Sequence, residues 1–147
     1  MGFVAAACAL LIVLTTVTHY EVLGLLSFTL PRLRIRPRVK LLVVMFAAFA
    51  AHGVEILLYG LFYYQLIHTL SLGALAGGAS TLENCMYFSA ETFTSLGFGD
   101  IVPTGPLRLL AGFEALNGLL LIGWSASYVY ISMERFWGED LRAAKAD

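Results

Sequence analysis

The run Thr94-Ser95-Leu96-Gly97-Phe98-Gly99-Asp100 concentrates chemistry in the backbone rather than in its side chains. Two glycines flank one aromatic residue and an aspartate follows. Glycine adopts φ values that a Cβ disfavours, so such a segment can turn successive carbonyl oxygens toward one axis. Carbonyls arrayed in that way replace the water shell of a dehydrated cation, and an aspartate beside them raises the local cation concentration. A second constellation is ionisable. His19, His52, Glu55 and Glu114 all fall in apolar stretches, where such residues face protein or water rather than lipid. His52 and Glu55 are three apart and share a helix face. Counting about 1.5 Å per residue places His19 at the depth of His52, and Glu114 at the depth of Glu55. The group reads either as a proton- or metal-sensitive switch, since histidine titrates near physiological pH, or as a static hydrogen-bond network between helices. No nucleophile–base pair or phosphate loop is present, and His52-x-x-Glu55 lacks the second histidine of a zinc-protease motif. No catalytic residue, and hence no enzyme, is expected.

The elements that must position these residues are apolar helices. Of the 147 residues, 59% are hydrophobic and 13% charged, and the mean hydropathy is +0.81, beyond the range of ordinary soluble domains. The formal net charge of −1 gives no argument for nucleic acid as a partner. Residues 3–18 carry no charge, and a first membrane helix is expected over residues 1–30, ended by Pro31. Residues 31–40 read as a basic loop with Pro37 reinforcing the break, and hold five of the nine basic residues. The second helix is expected over residues 41–68. Its Tyr59, Phe62, Tyr63 and Tyr64 suggest a membrane–water interface. Residues 72–79, rich in Gly and Ala, read as a loop. Ser80 as N-cap with Glu83 at N3 fits a capping box opening a helix over residues 81–94, which is too short to span and must re-enter. The last crossing is expected over residues 106–133, with Phe136 and Trp137 as inner-interface anchors, followed by a short tail at 138–147. Cys8 and Cys85 read as small buried hydrophobes, and the N-terminus lacks the basic region of a signal peptide.

The run at 94–100 resembles the selectivity filter of potassium channels, Thr-Val-Gly-Tyr-Gly-Asp. The likeness continues upstream through Tyr87-Phe88-Ser89-Ala90-Glu91-Thr92, similar to the end of the family's pore helix. Downstream it continues through Ile101-Val102-Pro103, Arg108 and Gly118, similar to the turn into the inner helix and its hinge glycine. The module most resembled is the two-transmembrane pore of bacterial channels and of the second half of two-pore-domain channels, here preceded by an extra N-terminal helix.

That resemblance implies an all-α membrane protein with three transmembrane helices plus a re-entrant pore helix and filter loop, assembled as a homotetramer. The pore module spans residues 41–137. K+ would pass through the carbonyls of Ser95, Leu96, Gly97 and Phe98, with the Ser95 hydroxyl innermost and Asp100 at the outer mouth. Self, lipid and K+ are the implied partners, permeant K+ the only ion needed, and no cofactor. Tyr87 and Glu91 would support the filter. Glu91 is expected to pair with Asp100 through a shared proton or water, or else to bind loop amides. The departures are Ser95 for Thr, Leu96 for Val or Ile, and Phe98 for Tyr. They keep a weakly selective cation channel open as an alternative, beside a non-conducting membrane sensor or regulatory subunit. Gating candidates are Gly118, as a hinge or a close-packing site, together with His19, His52, Glu55 and Glu114. Trp124, Tyr128 and Tyr130 are candidates for narrowing the inner pore. Arg32, Arg34, Arg36, Arg38 and Lys40 place the loop on the cytoplasmic side by the positive-inside rule, with the N-terminus outside and the C-terminus inside. Their spacing of two, interrupted by proline, does not make a voltage-sensor stripe.

Overall fold

The computed structural model describes residues 2–143. Four helices carry the chain: α1 (Gly2–Thr29), α2 (Pro37–Leu70), α3 (Leu82–Phe93) and α4 (Leu107–Ala143). Three are long and apolar enough to cross a membrane; α3, at 12 residues, is not. A 3-10 turn, Leu30–Arg32, follows α1 with Pro31 at its start. The break between α1 and α2 is shorter than the sequence suggests. Pro37 opens α2 rather than extending the loop, because proline's fixed φ suits the first helical turn, where no N–H partner is required. Lys40 therefore lies on a helix, its Nζ over the ring of Phe136 at 5.2 Å.

The last helix, α4, runs 37 residues, well past residue 133. Phe136 is buried with Leu23, Leu26, Leu30 and Val44, so it packs the end of α1, the start of α2 and the end of α4 together rather than lying free at a lipid interface. Trp137 is half exposed. The aromatic cluster of α2 is corrected in the same way. Tyr59 and Tyr63 are fully buried, their hydroxyls taken up by polar side chains of other helices. Trp124 and Tyr128 face α1: Trp124 packs 5.4 Å from the ring of His19, and the Tyr128 hydroxyl meets Ser27 at 2.9 Å.

Between α2 and α4 the chain forms a lobe around α3. Two-residue strands β1 (Leu75–Ala76) and β2 (Val102–Pro103) pair antiparallel, a feature absent from the sequence reading. The glycine-rich loop makes the approach possible. At Gly77 (φ +96°) a Cβ would run into the carbonyl of Asp100. The cap of α3 is Thr81, not Ser80: its side chain accepts the Asn84 N–H at 3.2 Å. Ser80 instead accepts the Leu75 N–H at 3.1 Å, so the hydroxyl pair divides between helix and loop. The core joins all these parts through Leu11, Tyr59, Tyr63, Phe88, Phe93, Leu107 and Leu110.

Candidate functional site

The pore-like segment begins where α3 ends, and the ending is a Schellman motif. The Leu96 N–H bonds the Glu91 carbonyl at 2.9 Å and the Ser95 N–H bonds Thr92 at 2.9 Å. Ser95 occupies the left-handed position, φ +57°, where glycine is usual and a side chain costs about 1–2 kcal/mol. Gly97 (φ +55°) and Gly99 (φ +79°) repeat positive φ at alternate residues, as the two glycines predict.

Every amide from 95 to 98 is tied back to α3. Gly97 N–H reaches the Glu91 carbonyl at 3.2 Å, and Phe98 N–H reaches the Glu91 carboxylate Oε2 at 3.2 Å. Among the described residues, no donor reaches the carbonyl oxygens of Ser95, Leu96, Gly97 or Phe98. Backbone acceptors need partners once away from water. The segment thus spends its donors on α3 and leaves its acceptors open. Residues 94–100 are all exposed in the single chain, including Leu96 (60%) and Phe98 (67%). Leu96 is therefore not packed behind the segment within one subunit.

Glu91 and Asp100 have different direct hydrogen-bond partners. Its carboxylate takes the Phe98 amide, the loop-amide alternative, while Asp100 accepts the Tyr87 hydroxyl at 3.1 Å and its own following amide, Ile101, at 3.0 Å. Among the described residues no hydrogen bond joins the two carboxylates. Burial raises the Glu91 carboxyl above the usual glutamate range, the Phe98 N–H pulls it partly back, and the charge of Asp100 adds to the rise. Thr94 caps α3, its hydroxyl donating to Ala90 at 2.8 Å.

The ionisable residues separate into two networks, with Glu114 in one and His19, His52 and Glu55 in the other. Glu114 accepts the Tyr63 hydroxyl at 2.6 Å and lies 2.5 Å from Ser89 Oγ, which also reaches the Ile56 carbonyl at 2.9 Å. It thereby fastens α3 to α2 and α4. Asn117, one turn on, donates to Thr15 at 2.7 Å and Tyr59 at 3.3 Å, extending the link to α1; no sequence signal singled it out. Glu55 belongs to the other network. Its Oε1 meets His19 Nδ1 at 2.9 Å and its Oε2 meets His52 Nδ1 at 2.8 Å. His19 Nε2 lies 3.1 Å from Ser125 Oγ, and the two imidazoles stack at 5.1 Å. Counting residues gives depth along each helix but not the direction each side chain takes, which decides the network it joins.

Gly118 sits where α4 crosses the end of α3. A Cβ there would strike the carbonyl and ring of Phe93. The close-packing reading accounts for this glycine. A sequence model of the family described as "Ion channel" matches residues 51–135, more than half of the chain. The chain belongs to this ion channel family. The matched stretch holds most of α2, all of α3, the segment at 94–100 and most of α4, and leaves out α1. Among curated relatives, this ion channel is 34% identical over 56 residues to the inward rectifier potassium channel Kirbac3.1 of Paramagnetospirillum magnetotacticum. That match covers 37% of this chain and 19% of the relative, so the channel spans about a fifth of the relative's length. No solved structure matches.

Proposed function

We propose that this ion channel is a homotetramer conducting K+ passively through a filter built from residues 94–100 of four chains. The observation that carries the reading is the division of backbone groups at 95–98: every N–H is bonded to α3, and among the described residues every carbonyl is left without a protein donor. One chain supplies one such row, and a ring of carbonyls around an ion needs several copies about an axis. The resemblance to potassium pore modules and the potassium channel named among its relatives support four copies and K+. Asp100, held by Tyr87, stands at the outer mouth. The C-terminal end of α3 directs the negative end of its dipole toward the cavity. The basic segment around Arg32–Lys40 supports a cytoplasmic loop, with the N-terminus outside and the C-terminus inside.

Substitution at Gly97 tests the reading. In the single chain a Cβ at Gly97 meets nothing within 4 Å, so Gly97→Ala perturbs chiefly the left-handed backbone, by about 1–2 kcal/mol. Reconstituted in liposomes, the variant is expected to keep its oligomeric size and lose most of its K+ flux. Undiminished flux would contradict a carbonyl filter at this position. A weakly selective pore is the second reading, favoured by Ser95 and Leu96 at positions where the resembling filters carry Thr and Val.

A further inference from the structure

Glu55 and His19 are wholly buried, and the ion pairs of Glu55 are to two imidazoles rather than to a permanently charged base. A buried carboxylate between two neutral imidazoles leaves net negative charge in a medium of low dielectric, which is costly. The cluster therefore calls for one further positive species. Its composition, two imidazoles and one carboxylate from two helices, matches the three-ligand sets that hold zinc with an open fourth position. One donor atom from each residue lies within 4.8 Å of the others. Donors on a tetrahedral zinc ion, with bonds of about 2.0–2.1 Å, stand about 3.4 Å apart, so side-chain rotation suffices to close the set.

Two further features suit a metal. Ser125 lies against the second ring nitrogen of His19. A hydroxyl can donate or accept, so it can take the Nε2–H of a histidine ligated through Nδ1, the outer contact that metal-bound histidines usually make. His52 supplies a route of entry. Its side chain is 18% exposed and it lines two adjoining cavities of about 290 and 420 Å³. The smaller is also bounded by Phe93 and Thr94, at the start of the candidate filter.

We propose that His19, His52 and Glu55 form a binding site for a divalent first-row transition ion of the zinc class, clamping the N-terminal helix α1 to α2 of the pore module. The experiment uses the full-length, detergent-purified chain stripped with chelator and then loaded with Zn2+ or Co2+. One ion per chain is expected after dialysis, with Co2+ giving the intense visible bands of four-coordinate geometry and Zn2+ raising the melting temperature. His52→Gln and Glu55→Gln should lose the ion and the thermal shift. Ser125→Ala, which removes no ligand, should weaken binding about 10-fold or more. His68→Ala and Asp100→Asn should leave binding unchanged. If the ligand variants do not fold, zinc-edge X-ray absorption of the wild type counts imidazole ligands directly, and two are expected. Absence of binding above background overturns the site and leaves a shared proton as the positive species. Binding that survives His52→Gln, follows His68 or Asp100, or shows fewer than two imidazoles also overturns it. None of these measurements reads ion flux, so their outcome and that of the channel reading are independent.

Discussion

Glu91 fixes the candidate filter through two acceptors, its carbonyl on the Leu96 and Gly97 amides and its carboxylate on the Phe98 amide. Its raised carboxyl pKa, caused first by burial and then by Asp100, has a definite sign in stability. The folded state binds a proton more readily than the unfolded chain. The stabilisation is complete below the ordinary glutamate value of about 4.3 and is lost as pH rises through the raised one. Glu91→Gln removes that titration. Melting temperatures of wild type and Glu91→Gln, compared from about pH 4 to about pH 7, should show wild type losing ground to the variant as pH rises. A constant difference would mean that Glu91 does not feel burial and Asp100 as the geometry requires. At this scale the sequence was informative about which residues matter and less so about whom they touch. Glu91, Tyr87 and Asp100 are all identifiable from the motif. Tyr87 as the partner of Asp100 is not, because a hydrogen bond across 13 residues depends on how the segment folds back, and the Schellman turn at Ser95 sets that.

At the scale of elements, α3 is held by packing at one end and polar bonds along its side. Gly118 permits the packing. Gly118→Ala forces its Cβ into Phe93, an overpacking cost of about 1–3 kcal/mol, whereas a Cβ at Gly123, also on α4, meets nothing within 4 Å. Thermal melting should therefore show a clear loss for Gly118→Ala and little change for Gly123→Ala. Equal effects would contradict the close approach of α4 to α3. The long apolar helices and the short one between them are legible in sequence because length and hydropathy decide them. Pro37 was misread because proline both stops a helix and opens one. The cap was displaced by one position because Ser80 and Thr81 are chemically equivalent neighbours. The strands β1 and β2 are two residues each, too short for any alternation to mark them.

At the scale of the whole molecule, the single chain leaves large apolar side chains uncovered on every long helix, among them Phe46 (72%), Phe49 (80%) and Leu120 (64%). Part of that surface suits lipid. The open carbonyls and exposed side chains at 95–98 do not, since unpartnered backbone polar groups are not tolerated in hydrocarbon. In the proposed channel they face the conduction path and neighbouring copies of the chain, the protein-buried or water-lined settings that membrane depth allows. Native mass spectrometry of the detergent-solubilised protein should give four copies; a monomer would contradict the assembly. The central claim is that those carbonyls select and pass K+. Its most direct test is the reversal potential of currents from purified protein in a planar bilayer with K+ on one side and Na+ on the other. The account predicts a reversal far toward the K+ equilibrium potential. A reversal near zero, or the absence of any protein-dependent current, would contradict it.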